Sequence, residues 1–233
     1  MKGDISLLSL IKKYRHGFLI SGYAVVYLLL FIFLENRPVS SYHVIHTAFD
    51  DMIPFCEFFI IPYMMWFPYM LFTVCYFIFR RGDHREYYQL CFNLMMGMTV
   101  FLVVSWLYPN MQQLRPYVFP RENIFTDAVR ILYQKDTPTN ILPSIHVFNS
   151  LAMHMAISTS VKLRDKKALR MFSLILTSLI ILSTMFLKQH SLIDVSIGMA
   201  MALFGYEVFY APGTEYQRKR VPAYSSSTSK KGM

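Results

Sequence analysis

Six stretches of this chain run for about twenty residues with scarcely a charge, long enough for each to cross roughly 30 Å of hydrocarbon as a helix. They cover 17–34, 58–79, 87–108, 141–161, 171–187 and 191–211. A chain that is 55% hydrophobic and 16% charged has too little polar surface to cover a soluble globule of this size, and it is equally unlike a disordered chain. The first run follows basic residues, as a signal peptide would, but it lacks a small-residue cleavage site and ends in Glu35-Asn36-Arg37-Pro38. It is expected to stay as a span. Pro62 and Pro68 predict a kink in the second run.

The lysines and arginines sort between the runs in an alternating way. Seventeen fall in the N-terminal segment (Lys2, Lys12, Lys13, Arg15), the 80–86 link, the 162–170 link and the tail beyond Pro212, against six on the other side: Arg37, Arg115, Arg121, Arg130, Lys135 and Lys188. Cytoplasmic loops are enriched in these residues, so both termini are predicted inside. The expected fold is an all-α polytopic membrane protein, a six-helix bundle over 1–211 followed by a flexible basic cytoplasmic tail over 212–233. Net charge of +9 does not point to nucleic acid, because the cations punctuate apolar runs instead of forming a stripe on one soluble face. Cys56, Cys75 and Cys91 are odd in number and lie in or beside apolar runs, which implies no disulfide framework.

Ionisable groups within a bilayer are costly, and those that occur are candidates for function. Here they gather at the predicted outer face: Arg115-Pro116 after the third run, Pro143-Ser144-Ile145-His146 opening the fourth, and Lys188-Gln189-His190 through Asp194 opening the sixth. His190 and Asp194 are four apart, so on a helix the carboxylate accepts the imidazole N–H and leaves the other ring nitrogen as nucleophile or base. His146 supplies a proton donor, Ser144 a hydroxyl at a helix start, Arg115 a forked phosphate clamp and Lys188 a point charge. The set describes phosphoryl transfer through a histidine, with no metal cage and no cofactor.

These residues resemble the type 2 phosphatidic acid phosphatase superfamily of integral membrane lipid phosphatases and phosphotransferases, over roughly 115–198. The pattern there is Lys-x6-Arg-Pro, Pro-Ser-Gly-His and Ser-Arg-x5-His-x3-Asp. This chain has Arg115-Pro116, Pro143-Ser144-Ile145-His146 and Ser183-Thr184-x5-His190-x3-Asp194, with Tyr108, Ile145 and Thr184 where the pattern has Lys, Gly and Arg. The bulky residue between Ser and His is similar to the branch containing inositol phosphorylceramide synthases. The resemblance implies His190 as the nucleophile forming a phosphohistidine, Asp194 as its orienting partner, His146 as general acid, and Arg115 with Ser144 holding phosphate. Lys188 would replace one missing cation.

The expected function is hydrolysis of a lipid phosphomonoester or pyrophosphate at the extracytoplasmic face, in the cell membrane. A head-group phosphotransferase is the nearest alternative, a degenerate inactive relative another, and a proton-coupled transporter or lipid-binding membrane protein an alternative of a different class. Expected partners are the lipid phosphate substrate and membrane lipids. His154 and Ser150 extend a polar track below His146, and the aromatic run through Tyr63, Trp66, Phe67 and Tyr69 reads as packing and interface belt. His43, His46, Asp50 and Asp51 lack a convincing fourth ligand and read as an interfacial segment over the substrate entrance, while Arg121 and Arg130 read as solvated loop charges.

Overall fold

A backbone amide in hydrocarbon finds no water, so an apolar run satisfies its own N–H and C=O groups by forming helix. The computed structural model describes residues 14–80 and 84–211, which are mostly helical with two strands of two residues each. Lys2, Lys12, Lys13, Arg81 and the expected basic tail lie outside the described residues. Helix α1, Gly17–Asn36, exposes Phe18, Val25, Leu29 and Phe33 along one apolar face and buries Ile20, Tyr27 and Leu34 on the other.

The second run breaks where its prolines require. A 3-10 turn, Glu57–Phe59, leads into a short helix Ile60–Met64, and a second helix begins at Trp66 and ends at Phe79. Pro68 has no N–H to offer the Met64 carbonyl, and the discontinuity falls at Met65, the very next residue. Numbered in chain order after Ala48–Met52 (α2), these two helices are α3 and α4. Helix α5 is Arg85–Leu107.

The link after α5 contains an amphipathic helix, α6, Ile124–Lys135. Asn123 caps it, its side chain accepting from the Phe125 and Thr126 N–H groups at 3.0 Å, and Val129 is buried against Ile60, Tyr63 and Leu187. Before it, β1 (His43–Val44) pairs in parallel with β2 (Asn110–Met111), tying the segments that follow α1 and α5 together.

The last three helices are α7 (Ile145–Thr159), α8 (Lys167–Phe186) and α9 (Leu192–Phe209). Among the described residues, five helical segments are long and apolar enough to cross a membrane: Gly17–Asn36, Glu57–Phe79, Arg85–Leu107, Lys167–Phe186 and Leu192–Phe209. Within the fourth expected crossing, 141–161, the helix covers 15 residues, about 22 Å, with irregular chain before it and a 3-10 turn after it. That helix is the centre of the bundle. Phe148, Ala152, Met153 and Ala156 are buried among Leu90 and Leu94 of α5, Ile180 of α8 and Ala202 of α9.

Glycine sets how closely the helices meet at two places. A Cβ on Gly97 would sit 2.0 Å from the Phe148 ring, and one on Gly198 would sit 2.8 Å from the Ser144 carbonyl oxygen. The second contact brings the start of α7 against α9, and the Ser144 N–H donates to the Asp194 carbonyl at 3.1 Å. Gly198→Ala must push backbone from backbone, and is expected to cost about 1–3 kcal/mol, read as a lower melting temperature in detergent. An unchanged melting temperature would mean that this contact is not a tight one.

Polar contacts define two ends of the bundle. At one, His16 reaches the Ile78 carbonyl at 2.9 Å and Glu86 pairs with Arg80 while accepting from the Val161 N–H at 3.1 Å. At the other, Arg37 donates to the carbonyls of Ser105 and Trp106, Asn140 donates to Glu35 at 2.5 Å, and Lys188 reaches the Asp50 carbonyl. Arg80, counted on one side in the sequence, therefore stands at the opposite end from Arg37 and Lys188, counted on the other.

Candidate active site

The turn between α8 and α9 is built to present a side chain. Lys188 takes a left-handed conformation, with φ 53°, and the N–H groups of Gln189 and His190 both donate to the Thr184 carbonyl at 2.9 and 3.0 Å. On the far side Asp50, 2% exposed, caps α9: its carboxylate accepts from the Leu192 N–H at 2.8 Å and the Ser191 hydroxyl at 2.7 Å. A carboxylate at a helix N-terminus meets both the unpaired N–H groups and the positive end of the dipole. His190 projects from the turn so held.

Asp194, fully buried one turn into α9, accepts a short hydrogen bond from the His190 Nδ1–H. That fixes the tautomer and leaves the Nε2 lone pair directed away from α9. It meets His146, in the first turn of α7, whose Nδ1 lies 3.2 Å from His190 Nε2. The other nitrogen, His146 Nε2, lies 3.1 Å from the Tyr63 hydroxyl of α3, and that hydroxyl donates to Asp136 at 2.6 Å. The Trp66 ring, 4.5 Å from the His146 ring between centroids, closes the apolar side.

Arg115 joins from the loop after α5. Its guanidinium donates to the carbonyls of Tyr133 (3.0 Å) and Asp136 (2.6 Å) and to Gln189 Oε1 (2.5 Å), and it stacks over the Tyr133 ring at 4.4 Å. Burial lowers its affinity for its proton, and the neighbouring Asp136 opposes the shift, so the group remains a cation beside the histidines. A cavity of about 40 Å³ opens here, lined by His146, His190, Asp136, Gln189, Asn140 and Ile145 among others. It has room for a water or two. A phosphoryl group needs more room than this.

Of the residues picked out in the sequence, His190, Asp194 and His146 come together and Arg115 reaches them through Gln189. Ser144 lies at the start of α7, but it is wholly buried, and its hydroxyl oxygen accepts from the Val147 N–H at 3.4 Å as an N-cap. Lys188 turns the other way: its ammonium donates to the Asp50 carbonyl at 2.6 Å. Burial pulls the Lys188 pKa down, with Asp50 and Asp51 opposing.

His43, His46, Asp50 and Asp51 do not converge. His43 stacks on Tyr108 and His46 pairs with Asp51 at 2.9 Å. Among the described residues no three or more His, Cys, Asp or Glu side chains gather as a metal site. His154 bonds Ser173 at 3.0 Å within a buried polar column that includes Tyr69 and Thr177. Arg121 pairs with buried Glu57, and Arg130 pairs with Glu122 and Asp127 in the open. Sequence reading gave Tyr63 to packing and the interface belt and assigned no role to Asp136 or Gln189. The Asn123 cap and the apolar pattern of α6 were the signals that could have placed Asp136 at the end of a packed helix.

Two histidines, one held by a carboxylate four residues on, with a half-buried arginine on the neighbouring Gln189, agree with the motifs of the sequence. A family model, that of the PAP2 superfamily, matches residues 88–215, more than half of the chain and all three motifs. The chain belongs to the PAP2 superfamily. Neither a curated protein nor a solved structure matches it. PAP2 proteins are generally phosphatases and phosphotransferases acting on phosphate esters, and membership gives this chain that class of activity. The apolar helices agree with integration in a membrane.

Proposed function

We propose that this PAP2 protein is a lipid phosphatase that hydrolyses a phosphomonoester or pyrophosphate at the extracytoplasmic face of the cell membrane. The observation that carries the reading is the His190 Nε2 lone pair, held by Asp194 on one side and facing His146 at 3.2 Å on the other. In this reading α7 with its flanking residues completes a sixth crossing. Both termini are then cytoplasmic, and the site stands at the outer end of the bundle, where a lipid phosphate meets water.

In the first step His190 Nε2 attacks phosphorus, the bond from phosphorus to the lipid oxygen breaks, and His146 protonates the departing alkoxide. A water then gives a proton to His146 and its oxygen attacks the phosphohistidine, releasing phosphate and returning His190 to its starting form. Arg115 compensates charge on the phosphoryl oxygens, the Ser144 end of α7 adds to it, and Lys188 does so once its ammonium leaves the Asp50 carbonyl. The protein supplies the nucleophile and the proton donor itself.

A second reading, transfer of a phosphorylated head group to an alcohol, has one observation in its favour. Ile145, the bulky residue shared with the inositol phosphorylceramide synthase-like branch, lines the cavity, where an apolar wall disfavours water. Purified protein in detergent, with chelator present, is expected to release phosphate from at least one of phosphatidic acid, lysophosphatidic acid, phosphatidylglycerophosphate and undecaprenyl pyrophosphate. Full activity in chelator supports a reaction run by side chains; activity lost to chelator and restored by magnesium contradicts it. Products that appear only when an alcohol acceptor is added favour the transferase, and silence on all four esters rejects the hydrolase.

A further inference from the structure

Asp194, His190, His146, Tyr63 and Asp136 stand in one unbroken line of four contacts. A hydrogen bond holds one proton between two heavy atoms, so a complete line holds four. With ionised carboxylates, neutral imidazoles and an intact phenol, the five side chains bring only three, one from each ring. The fourth is an added proton, and among these groups an imidazole is the one that holds it on a nitrogen already in the line.

Where that proton sits follows from what each histidine must do. On His190 it would occupy the lone pair that attacks phosphorus. On His146 every contact is satisfied in one direction: Nδ1–H donates to His190 Nε2, Nε2–H donates to the Tyr63 oxygen, and the Tyr63 O–H donates to Asp136. His190 keeps its Nδ1–H on Asp194, and its Nε2 carries no proton: it accepts from His146 until substrate takes that place. The line is then two matched halves, Asp194 serving the nucleophile directly and Asp136 serving the acid through a phenol.

We propose that Asp136, acting through the Tyr63 hydroxyl, is the counter-ion that keeps His146 protonated as the acid of the first step, and that both are positioning residues for the reaction. This rests on the phosphohistidine mechanism above. The placement of both groups is firm: Tyr63 is 2% exposed in the α3 and α6 core, and the Asp136 backbone and carboxylate are held by Arg115 at 2.6 Å and by Gln189 at 3.4 Å. When the alkoxide leaves with the Nδ1 proton, His146 becomes neutral and its Nε2–H stays on Tyr63. Water returns the proton to Nδ1 in the second step, so no proton needs to pass along the relay.

The test uses leaving groups. An alkoxide from phosphatidic acid needs the acid, whereas the phenolate from para-nitrophenyl phosphate departs with little help, and kcat/KM stops at that departure if it is irreversible. In the full chain in detergent, Tyr63→Phe and Asp136→Asn are each expected to lower the ratio of kcat/KM for phosphatidic acid over the aryl ester by about tenfold or more. The double variant is expected to fall no further than the single ones, because both break one relay. Asp136→Glu should recover part of the ratio. A purely structural role lowers both esters equally, and an unchanged ratio overturns the proposal. If Tyr63→Phe does not fold, Asp136→Asn decides alone. The underlying mechanism fails separately: wild-type protein inactive on both esters, or His190→Ala retaining turnover of either, overturns that mechanism and the relay with it.

Discussion

His190→Ala removes lipid phosphate hydrolysis down to background, a loss of up to roughly a million-fold, as deletion of a nucleophile does elsewhere. No other described side chain offers an equivalent lone pair at this position. His146 faces the same cavity but its Nε2 is engaged by Tyr63, and its distance of 3.2 Å from His190 makes it a partner of that ring. The measurement is phosphate release with separation of the lipid products, on protein whose elution profile and melting are compared with wild type. Substrate binding is expected to survive, because Arg115 and the Ser144 end of α7 are untouched. Residual turnover within tenfold of wild type would exclude His190 as nucleophile.

Asp194→Asn carries the second largest effect, a fall in kcat of about 10² to 10⁴-fold with little change in KM, by analogy with the buried aspartate of hydrolase triads. The reason is local. Asp194 is wholly buried, one carboxylate oxygen takes the His190 Nδ1–H, and the other has no hydrogen-bond partner among the described side chains. An amide can present its N–H₂ to His190 as easily as its oxygen, which selects the wrong tautomer and puts the ring proton on the nucleophilic nitrogen. It also withdraws the negative charge that stabilises the ring as positive charge develops on it. A kcat within threefold of wild type would mean that Asp194 only packs.

Much of the helical layout was legible because it depends on local pattern. Runs of apolar residues became helix, and Pro68 placed the break at Met65. The 141–161 run differed because a helix wholly surrounded by other helices can be short: Ser144 caps it late and Ser160 ends it early. Helix α6 was missed because its apolar stripe packs on α3 while its other face is polar, a weaker signal than a continuous run.

The same division holds in the site. His190 and Asp194 were readable at four residues apart on one helix. Tyr63 and Asp136 are 73 residues apart, and Asp50 and Ser191 are 141 apart, and no periodicity in a single sequence carries such pairings. Lys188 shows the converse: its charge and nearness in sequence made it a phosphate ligand on paper, while its backbone turns the ammonium toward Asp50.

The central claim is a covalent bond between phosphorus and His190, and trapping it is the most direct measurement. Protein mixed with a lipid phosphate labelled in the phosphoryl group, quenched within the first turnover in alkali and digested, is predicted to carry label on the peptide containing His190. That label should be stable to base and labile to acid, as a phosphoramidate is. It should be absent from His190→Ala and from His190→Gln. Phosphate release at full rate with no labelled peptide at any quench time, or label on a serine or aspartate peptide, would contradict the phosphohistidine mechanism.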